Sequence, residues 1–313
     1  MTKRLLLPFI ACLLVLAGPA YAELRIGLMP AYNSIPLVVA EAAGFFTAEG
    51  LAVELIPFAS QLNRETALQA NAIDGTVSDL INAIQSWAQG SGARVTSVTE
   101  GNFSLLSSPH SALRTLAEWK ARAPGKVRTG LLENSIVYYV AERMLAAGHA
   151  DPAGIEIVPI VQLPARLEML LADRVEAACL PEPLATLAEA RGARRLADSD
   201  TLGTTPGVLL FTAKALEKKR PEIAGFYRAY DRAVAAVNAD PETYRSAIVA
   251  RCEFPPAVSP IMKIPRFRPS FTPAAAQVAD VARWMNKKGL VSRIPAYDDI
   301  VRAGYASSNA GNQ

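Results

Sequence analysis

The sequence predicts an α/β protein that is large enough for two domains. Short apolar runs rich in branched residues alternate with segments of helical periodicity, as they do in α/β proteins. Pro, Ser and Asn stand at many expected helix starts, where they suit N-cap and first-turn positions. The chain has 313 residues, which is enough for two domains of ordinary size.

Residues 1–22 are predicted to be a signal peptide. Lys3 and Arg4 form a basic start, and residues 5–16 are an apolar run too short to span a bilayer. Ala20-Tyr21-Ala22 fits a cleavage site, so we expect a mature chain from Glu23 that is free in the periplasm. A buried N-terminal helix and a lipoprotein signal ending at Cys12 are the alternatives. The apolar run continues past Cys12, which disfavours the lipoprotein signal.

The first structural unit of the mature chain is predicted to be strand, helix, strand. A strand over Arg25–Leu28 leads to a helix that begins near Ser34 and can stop at Gly44. A second strand follows at Val53–Pro57, where apolar and polar residues alternate. The unit therefore reads as βαβ with a right-handed crossover.

The remaining elements continue the alternation. Further strands are expected at Gly75–Val77, Val95–Thr99, Val127–Gly130, Glu156–Pro159, Ala177–Leu180 and Val208–Phe211. Further helices are expected to begin near Asn63, Ser78, Ser111, Ser135, Pro164, Pro183, Pro221, Pro241 and Pro273.

Short polar residues recur in the turns that follow predicted strands. Open α/β sheets bind ligands at the carboxyl ends of their strands, and helix N-termini attract anionic or polar groups. Plain helix capping explains each turn taken alone. Their repetition favours one recognition cleft, with polar residues at Asn33, Ser34, Ser60, Gln61, Ser78, Asp79, Glu133, Asn134, Ser135 and Glu182.

Charge, histidine and cysteine content disfavour several other functions. The expected mature chain of 291 residues has 30 basic and 29 acidic residues, a balance that does not indicate nucleic-acid binding. His110 and His149 are isolated, and Cys179 and Cys252 lack the spacing of a metal site or a redox pair. We therefore expect two buried free thiols, no metal site and no cofactor.

Four segments carry a resemblance to a known family. They are "LRIGLMPAYNSIPLVVAEAAGFFTAEGLAVELIPFASQ", "ALQANAIDGTVSDLINAI", "ENSIVYYVAERMLAAGHADP" and "LPEPLATLAE". Together they resemble the periplasmic solute-binding proteins for nitrate, sulfonates, taurine and thiamine precursors. The resemblance runs from about Leu24 to Phe211.

This resemblance implies a two-lobed type II periplasmic-binding-protein fold. Lobe one would comprise residues 23–106 and 207–313, and lobe two residues 107–206. Hinge strands would lie near Leu105–Ser108 and Thr205–Val208. Family ligand contacts, carried onto this sequence, fall on Asn33, Ser34, Ser60, Ser78, Asn134, Ser135 and Glu182.

The resemblance also implies a function. The protein would be the substrate-binding component of an ABC importer and would work as a monomer. It would capture a small polar or heteroaromatic organic solute between its lobes and deliver it to a membrane permease and its ATPase. No enzyme activity is implied, since the cysteine-rich motif of the eukaryotic pyrimidine-synthesising relatives is absent.

Two departures from the family pattern leave the solute open. Leu180 stands where many relatives have an aromatic residue, and Glu133 adds a carboxylate to a turn that elsewhere is rich in Gly, Ser or Thr. An enzyme on the same fold, of the menaquinone-pathway type, and a periplasmic ligand sensor are the alternatives. Export disfavours the enzyme, because its substrates are intracellular.

Overall fold

The computed structural model describes residues 22–122, 125–203 and 206–307, which form two separate five-stranded sheets. Sheet one contains β1 (Ala22–Leu28), β2 (Leu51–Pro57), β3 (Gly75–Asp79), β4 (Arg94–Val98) and β10 (Gly207–Phe211). Sheet two contains β5 (Phe103–Ser107), β6 (Val127–Leu131), β7 (Ile155–Pro159), β8 (Ala177–Pro181) and β9 (Arg194–Asp198). The predicted signal peptide and Cys12 lie outside the described residues, apart from Ala22.

The two sheets share one plan. Their strand orders are β2-β1-β3-β10-β4 and β7-β6-β8-β5-β9. In each sheet three strands pair in parallel, and one strand runs antiparallel to both of its neighbours. The predicted α/β class and the first βαβ unit are confirmed, because β1 and β2 pair in parallel around an intervening helix.

Thirteen helices cover the sheets in the described chain. Their bounds are α1 (Ile35–Ala42), α2 (Phe45–Ala48), α3 (Gln61–Gln69), α4 (Leu80–Ala88), α5 (Leu116–Ala121), α6 (Ile136–Ala147), α7 (Leu163–Leu171), α8 (Leu184–Ala190), α9 (Ala213–Lys218), α10 (Arg220–Ala239), α11 (Arg245–Arg251), α12 (Ala275–Lys287) and α13 (Tyr297–Ile300). The helix expected near Ser111 begins instead at Leu116, because Thr115 and Glu118 form a reciprocal capping box there.

We call sheet one with α1–α4 and α9–α13 lobe one, and sheet two with α5–α8 lobe two. The chain crosses between them at residues 99–102, after β4, and again between β9 and β10. Phe103–Ser107 pairs with β8 and β9, so it belongs to lobe two, whereas the sequence analysis assigned residues up to 106 to lobe one. The first crossing therefore precedes the predicted hinge strand at Leu105–Ser108.

The C-terminal helices belong to lobe one by their packing. Phe226 of α10 stacks on Phe46 of α2, with ring centroids 5.6 Å apart. Helix α12 packs on α4, and α13 packs on both α4 and β4. The long C-terminal segment thus returns to the lobe in which the chain starts.

One further expectation from the sequence concerns the two cysteines of the described chain. Cys179 and Cys252 are buried free thiols, as predicted, and burial raises the pKa of Cys179 to about 12. Among the helices described, none has the length and apolarity needed to cross a membrane.

Candidate functional site

A cavity of about 70 Å³ lies between the two lobes, and its walls are mostly apolar. Lobe one contributes Met29, Ala31, Asn33, Gln61, Arg64, Ser78 and Asp79. The lining residues from the other side, all in lobe two, are Phe103, Leu132, Ser135, Ile136, Val137, Val161, Leu163, Arg166 and Pro181. The cavity therefore combines apolar surface with a few polar groups from both lobes, as ligand sites commonly do.

Arg166 brings a buried positive charge to the lobe-two wall. Its side chain is 2% exposed, and Nη1 and Nη2 donate to the backbone oxygens of Cys179 (3.2 Å) and Ile160 (2.7 Å). Nε has no hydrogen-bond partner, and no carboxylate forms an ion pair with this guanidinium among the described residues. Burial lowers the pKa of Arg166 to about 10, so the group stays charged at neutral pH.

Arg64 brings a second buried guanidinium from lobe one. It lies on α3, and its Nη2 donates to Oε1 of Glu65 (2.7 Å) and to Oγ of Ser78 (3.2 Å). Ser78 also donates to the same Glu65 oxygen at 3.3 Å. The charge of Arg64 is therefore already balanced by a carboxylate of its own helix, unlike the charge of Arg166.

Asp79 adds a carboxylate to the cavity wall. It caps α4, where Oδ1 accepts from the Asn82 backbone N–H (2.9 Å) and Oδ2 accepts from the Asn82 side-chain amide (2.8 Å). Burial raises the pKa of Asp79 to about 6, against the opposing effect of the Arg64 charge. Near neutral pH this residue therefore changes the net charge of the cavity.

The N-terminus of α6 also faces the cavity. Ser135, Ile136 and Val137 line it, and the first N–H groups of a helix lack acceptors within the helix. The Ser135 hydroxyl donates to the Leu132 carbonyl and does not cap the helix. The backbone N–H groups at this end, rather than the serine hydroxyl, are thus the donors free to meet a ligand, and the helix dipole favours an anion there.

Three of the seven predicted site residues line this cavity: Asn33, Ser78 and Ser135. Asn33 is buried, and its side-chain oxygen has no hydrogen-bond partner. A ligand donor reaching that oxygen would satisfy it, which makes Asn33 the predicted residue with the clearest unfilled bonding capacity.

The other four predicted residues do not line the cavity. Ser34 exchanges hydrogen bonds with the Met29 backbone, and Ser60 caps α3 by accepting from the Asn63 N–H (3.3 Å). Asn134 lies in a neighbouring groove, where its carbonyl accepts from Gln61 (3.4 Å). Glu182 has its own hydrogen-bond partners inside lobe two.

Both carboxylate oxygens of Glu182 accept hydrogen bonds. Oε2 accepts from the Thr186 backbone N–H (3.0 Å) and hydroxyl (2.8 Å), and Oε1 accepts from Arg195 Nη2 (2.7 Å). These contacts hold the start of α8 against β9. A structural role accounts for this side chain without a ligand.

The sequence analysis missed the two arginines, although α7 carries a signal for one of them. Leu163, Leu167 and Leu170 form the buried stripe of α7, and Arg166 stands within that stripe at helical spacing. A charged residue on an apolar helix face is rarely buried without a partner, so its position indicates a special environment. Arg64 carries a weaker signal, because only Leu68 marks the buried face of α3.

Comparison with known proteins identifies related sequences and folds. The model of the NMT1-like family matches residues 17–251. No curated protein matches the chain at a significant level. Among the described residues, no group of three or more His, Cys, Asp or Glu side chains could hold a metal ion.

Several solved structures share the fold at low sequence identity. The ligand-binding component of an ABC-type import system from Staphylococcus aureus, solved with zinc bound, is 17% identical over 90% of this chain and 96% of its own, with a TM-score of 0.75. The alkanesulfonate-binding protein SsuA from Xanthomonas axonopodis pv. citri, bound to MOPS, is 21% identical over 90% of this chain and 99% of its own, with a TM-score of 0.73. A DszB variant in complex with biphenyl-2-sulfinic acid is 15% identical over 90% of this chain and 97% of its own, with a TM-score of 0.65.

Proposed function

Because the chain belongs to the NMT1-like family, we propose that it is the solute-binding component of an ABC importer and that its solute is a small organic anion. The solute would bind between the lobes and be delivered to a membrane permease. The predicted division into two lobes joined by two crossings gives such a protein its means of closing on a ligand.

The negative charge proposed for the solute is based mainly on one observation. Arg166 is a buried guanidinium without a carboxylate partner, and it lines the cavity between the lobes. A buried charge is costly unless it is paired, so a negatively charged ligand group is the missing partner. The N-terminus of α6 supplies free N–H groups in the same cavity, which also favours an anion.

The apolar lining supports an organic rather than an inorganic anion. Phe103, Ile136, Val137 and Leu163 surround the polar groups and would be left facing water by a bare ion. Structures of similar fold were solved with MOPS, which carries a sulfonate, and with biphenyl-2-sulfinic acid, which carries a sulfinate on an apolar body. Both ligands join an anionic group to a larger organic part.

Binding rather than catalysis is the proposed role of the cavity. The titratable side chains among its described lining residues are Arg64, Arg166 and Asp79. Asp79 could act as a base in an enzyme, but it already serves as the N-cap of α4. Cleavage of the signal peptide after Ala22 and release into the periplasm remain part of the proposal.

A thermal-shift screen with chemically paired probes tests the proposal. Benzenesulfonate, benzoate, MOPS and biphenyl-2-sulfinate are compared with neutral benzenesulfonamide and benzamide, and with zinc chloride and sodium nitrate. An anion present at 100 times its Kd should stabilise the protein by about 2.7 kcal/mol. Equal shifts with the neutral partners, or a shift with zinc or nitrate alone, would contradict the assignment of an organic anion.

A further inference from the structure

A further contact between the lobes lies outside the cavity, where α6 of lobe two meets α12 of lobe one. The indole of Trp284 packs edge-on against the rings of Tyr138 (5.7 Å between centroids) and Tyr139 (5.3 Å). Its Nε1 donates to Oε2 of Glu142 at 2.7 Å. Trp284 is 8% exposed, so this contact is a packed interface and not a surface encounter.

Two charged side chains of the α12 segment complete the contact. Asp280 accepts hydrogen bonds from the Tyr139 hydroxyl (2.6 Å) and from Arg143 Nη2 (2.8 Å). Lys288, the C-cap of α12, donates to the Tyr138 hydroxyl (2.8 Å) and to Glu142 (2.5 Å).

The position of this contact separates it from ligand binding. None of its side chains lines the cavity, yet α6 also carries Ile136 and Val137, which do, and it begins directly after the lining residue Ser135. The contact between the lobes is therefore made by side chains that do not belong to the cavity wall. Any separation of the lobes at this edge must break its hydrogen bonds and expose the indole to water.

We propose that the contact between α6 and α12, centred on Trp284 and the Arg143–Asp280 ion pair, is a latch that holds the two lobes together in the ligand-free protein. Opening of the cavity then requires release of the latch. Because one helix presents both the latch and part of the cavity wall, a ligand that moves α6 also moves the latch. The latch sets the ratio of closed to open protein, whatever the solute is.

Distance measurements by electron paramagnetic resonance test the latch in the ligand-free protein. Spin labels are placed on the exposed positions Ala146 of α6 and Lys287 of α12, after substitution by cysteine. Both natural cysteines of the mature chain are buried and do not compete for the label. The latched protein should give one short, narrow distance distribution between these helices.

Asp280→Arg is the variant that breaks the latch. It removes the acceptor of Tyr139 and Arg143 and places two cations together, so the closed-to-open ratio should fall roughly tenfold or more and a longer distance should appear. Adding Arg143→Asp restores an opposite-charge pair and should restore the short distance. The control is Glu168→Arg, which breaks a more exposed ion pair with Arg191 inside lobe two and should leave the distance between the lobes unchanged.

The measured distances can either support or overturn the latch. A long or broad distribution in the unsubstituted protein, or an unchanged short distance in folded Asp280→Arg, would overturn the latch. If circular dichroism shows that Asp280→Arg does not fold, Lys288→Met is measured in its place, since it removes only the contacts of one partly exposed lysine. The test needs no ligand, so its failure leaves the proposed solute-binding function untouched.

Discussion

Arg64 and Arg166 reach the same cavity from opposite lobes, but their charges are balanced in different ways. Arg64 has Glu65 as a carboxylate partner at 2.7 Å and Ser78 as a second acceptor. Arg166 has two backbone oxygens and an Nε without a partner. Backbone oxygens carry only partial charge, so the Arg166 charge remains largely uncompensated.

The difference assigns unequal roles to the two lobes. The Arg64 charge in lobe one is already paired without a ligand, because Glu65 of the same helix forms an ion pair with it. The Arg166 side of lobe two is incomplete, because a buried charge there lacks an anion. An anionic solute should therefore bind first to lobe two.

Replacement of Arg166 should have the largest effect. In Arg166→Met the solute anion loses its buried partner, and we expect affinity to fall about thirtyfold or more. Calorimetry with the anion that binds best in the thermal-shift screen measures the change. Arg166→Lys keeps the charge but loses the two-pronged hydrogen bonding, so it should recover only part of the affinity. Full affinity in a folded Arg166→Met protein would remove the basis for an anionic solute.

Protonation of Asp79 should have the next largest effect. The pKa of this carboxyl is about 6 because it is buried, so it loses its negative charge as the pH falls through that value. An anion in the cavity is then repelled less, and its affinity should rise as the pH falls from about 8 to about 5. If the bound anion raises the carboxyl pKa by about one further unit, the gain is about tenfold.

Asp79→Asn is the control for this pH dependence. It removes the titrating group, so affinity should become nearly independent of pH over the same range. The predicted direction of the pH dependence would be wrong if the affinity of the unsubstituted protein fell on acidification, measured with an anion that stays ionised over this range. A variant that keeps the full pH dependence would locate the responsible group elsewhere.

Replacement of Arg64 should weaken binding less than replacement of Arg166. Its charge is shared with Glu65, so Arg64→Met should cost about threefold to fivefold in affinity. The same change removes the guanidinium donor of Glu65 and Ser78, although Ser78 still donates to Glu65, and we expect the free energy of unfolding to fall by about 1–3 kcal/mol. Urea denaturation beside calorimetry separates the two effects. An affinity loss as large as that of Arg166→Met would end the proposed asymmetry between the lobes.

The sequence predicted the class of fold better than the details of the site. Eight of the ten strands in the described chain were predicted, because short runs rich in apolar and branched residues mark them; they are β1–β4, β6–β8 and β10. Strand β9 was missed, and β5 was expected only as a hinge strand near Leu105–Ser108. β9 reads "RRLAD" with two arginines and an aspartate, and it lies at a sheet edge where its charges stay partly exposed. The first hinge was predicted too late in the chain because β5, taken as a hinge strand, pairs within the sheet of lobe two.

The site residues, too, could be predicted only in part from the sequence. Short polar residues at strand ends were visible in the sequence, but capping and binding use the same residue types. Ser60 caps a helix, whereas Asn33 faces the cavity with an unpaired oxygen, and only packing of the two lobes distinguishes them. Arg166 could be assigned only once its lack of a carboxylate partner was known.

Glu182→Gln should have the smallest effect on binding, and it separates the sequence-based site from the structural one. The sequence analysis placed Glu182 among the ligand contacts, whereas its carboxylate is occupied by Thr186 and Arg195 within lobe two. We expect affinity to change by less than about twofold. The free energy of unfolding should fall by about 1–2 kcal/mol, because a charged acceptor becomes a neutral one. Thr186→Val, which removes one donor to the same carboxylate, should also reduce stability and leave affinity unchanged. A tenfold loss of affinity in Glu182→Gln at unchanged stability would instead return this residue to the solute site, and the cavity at Arg166 would then be only part of it.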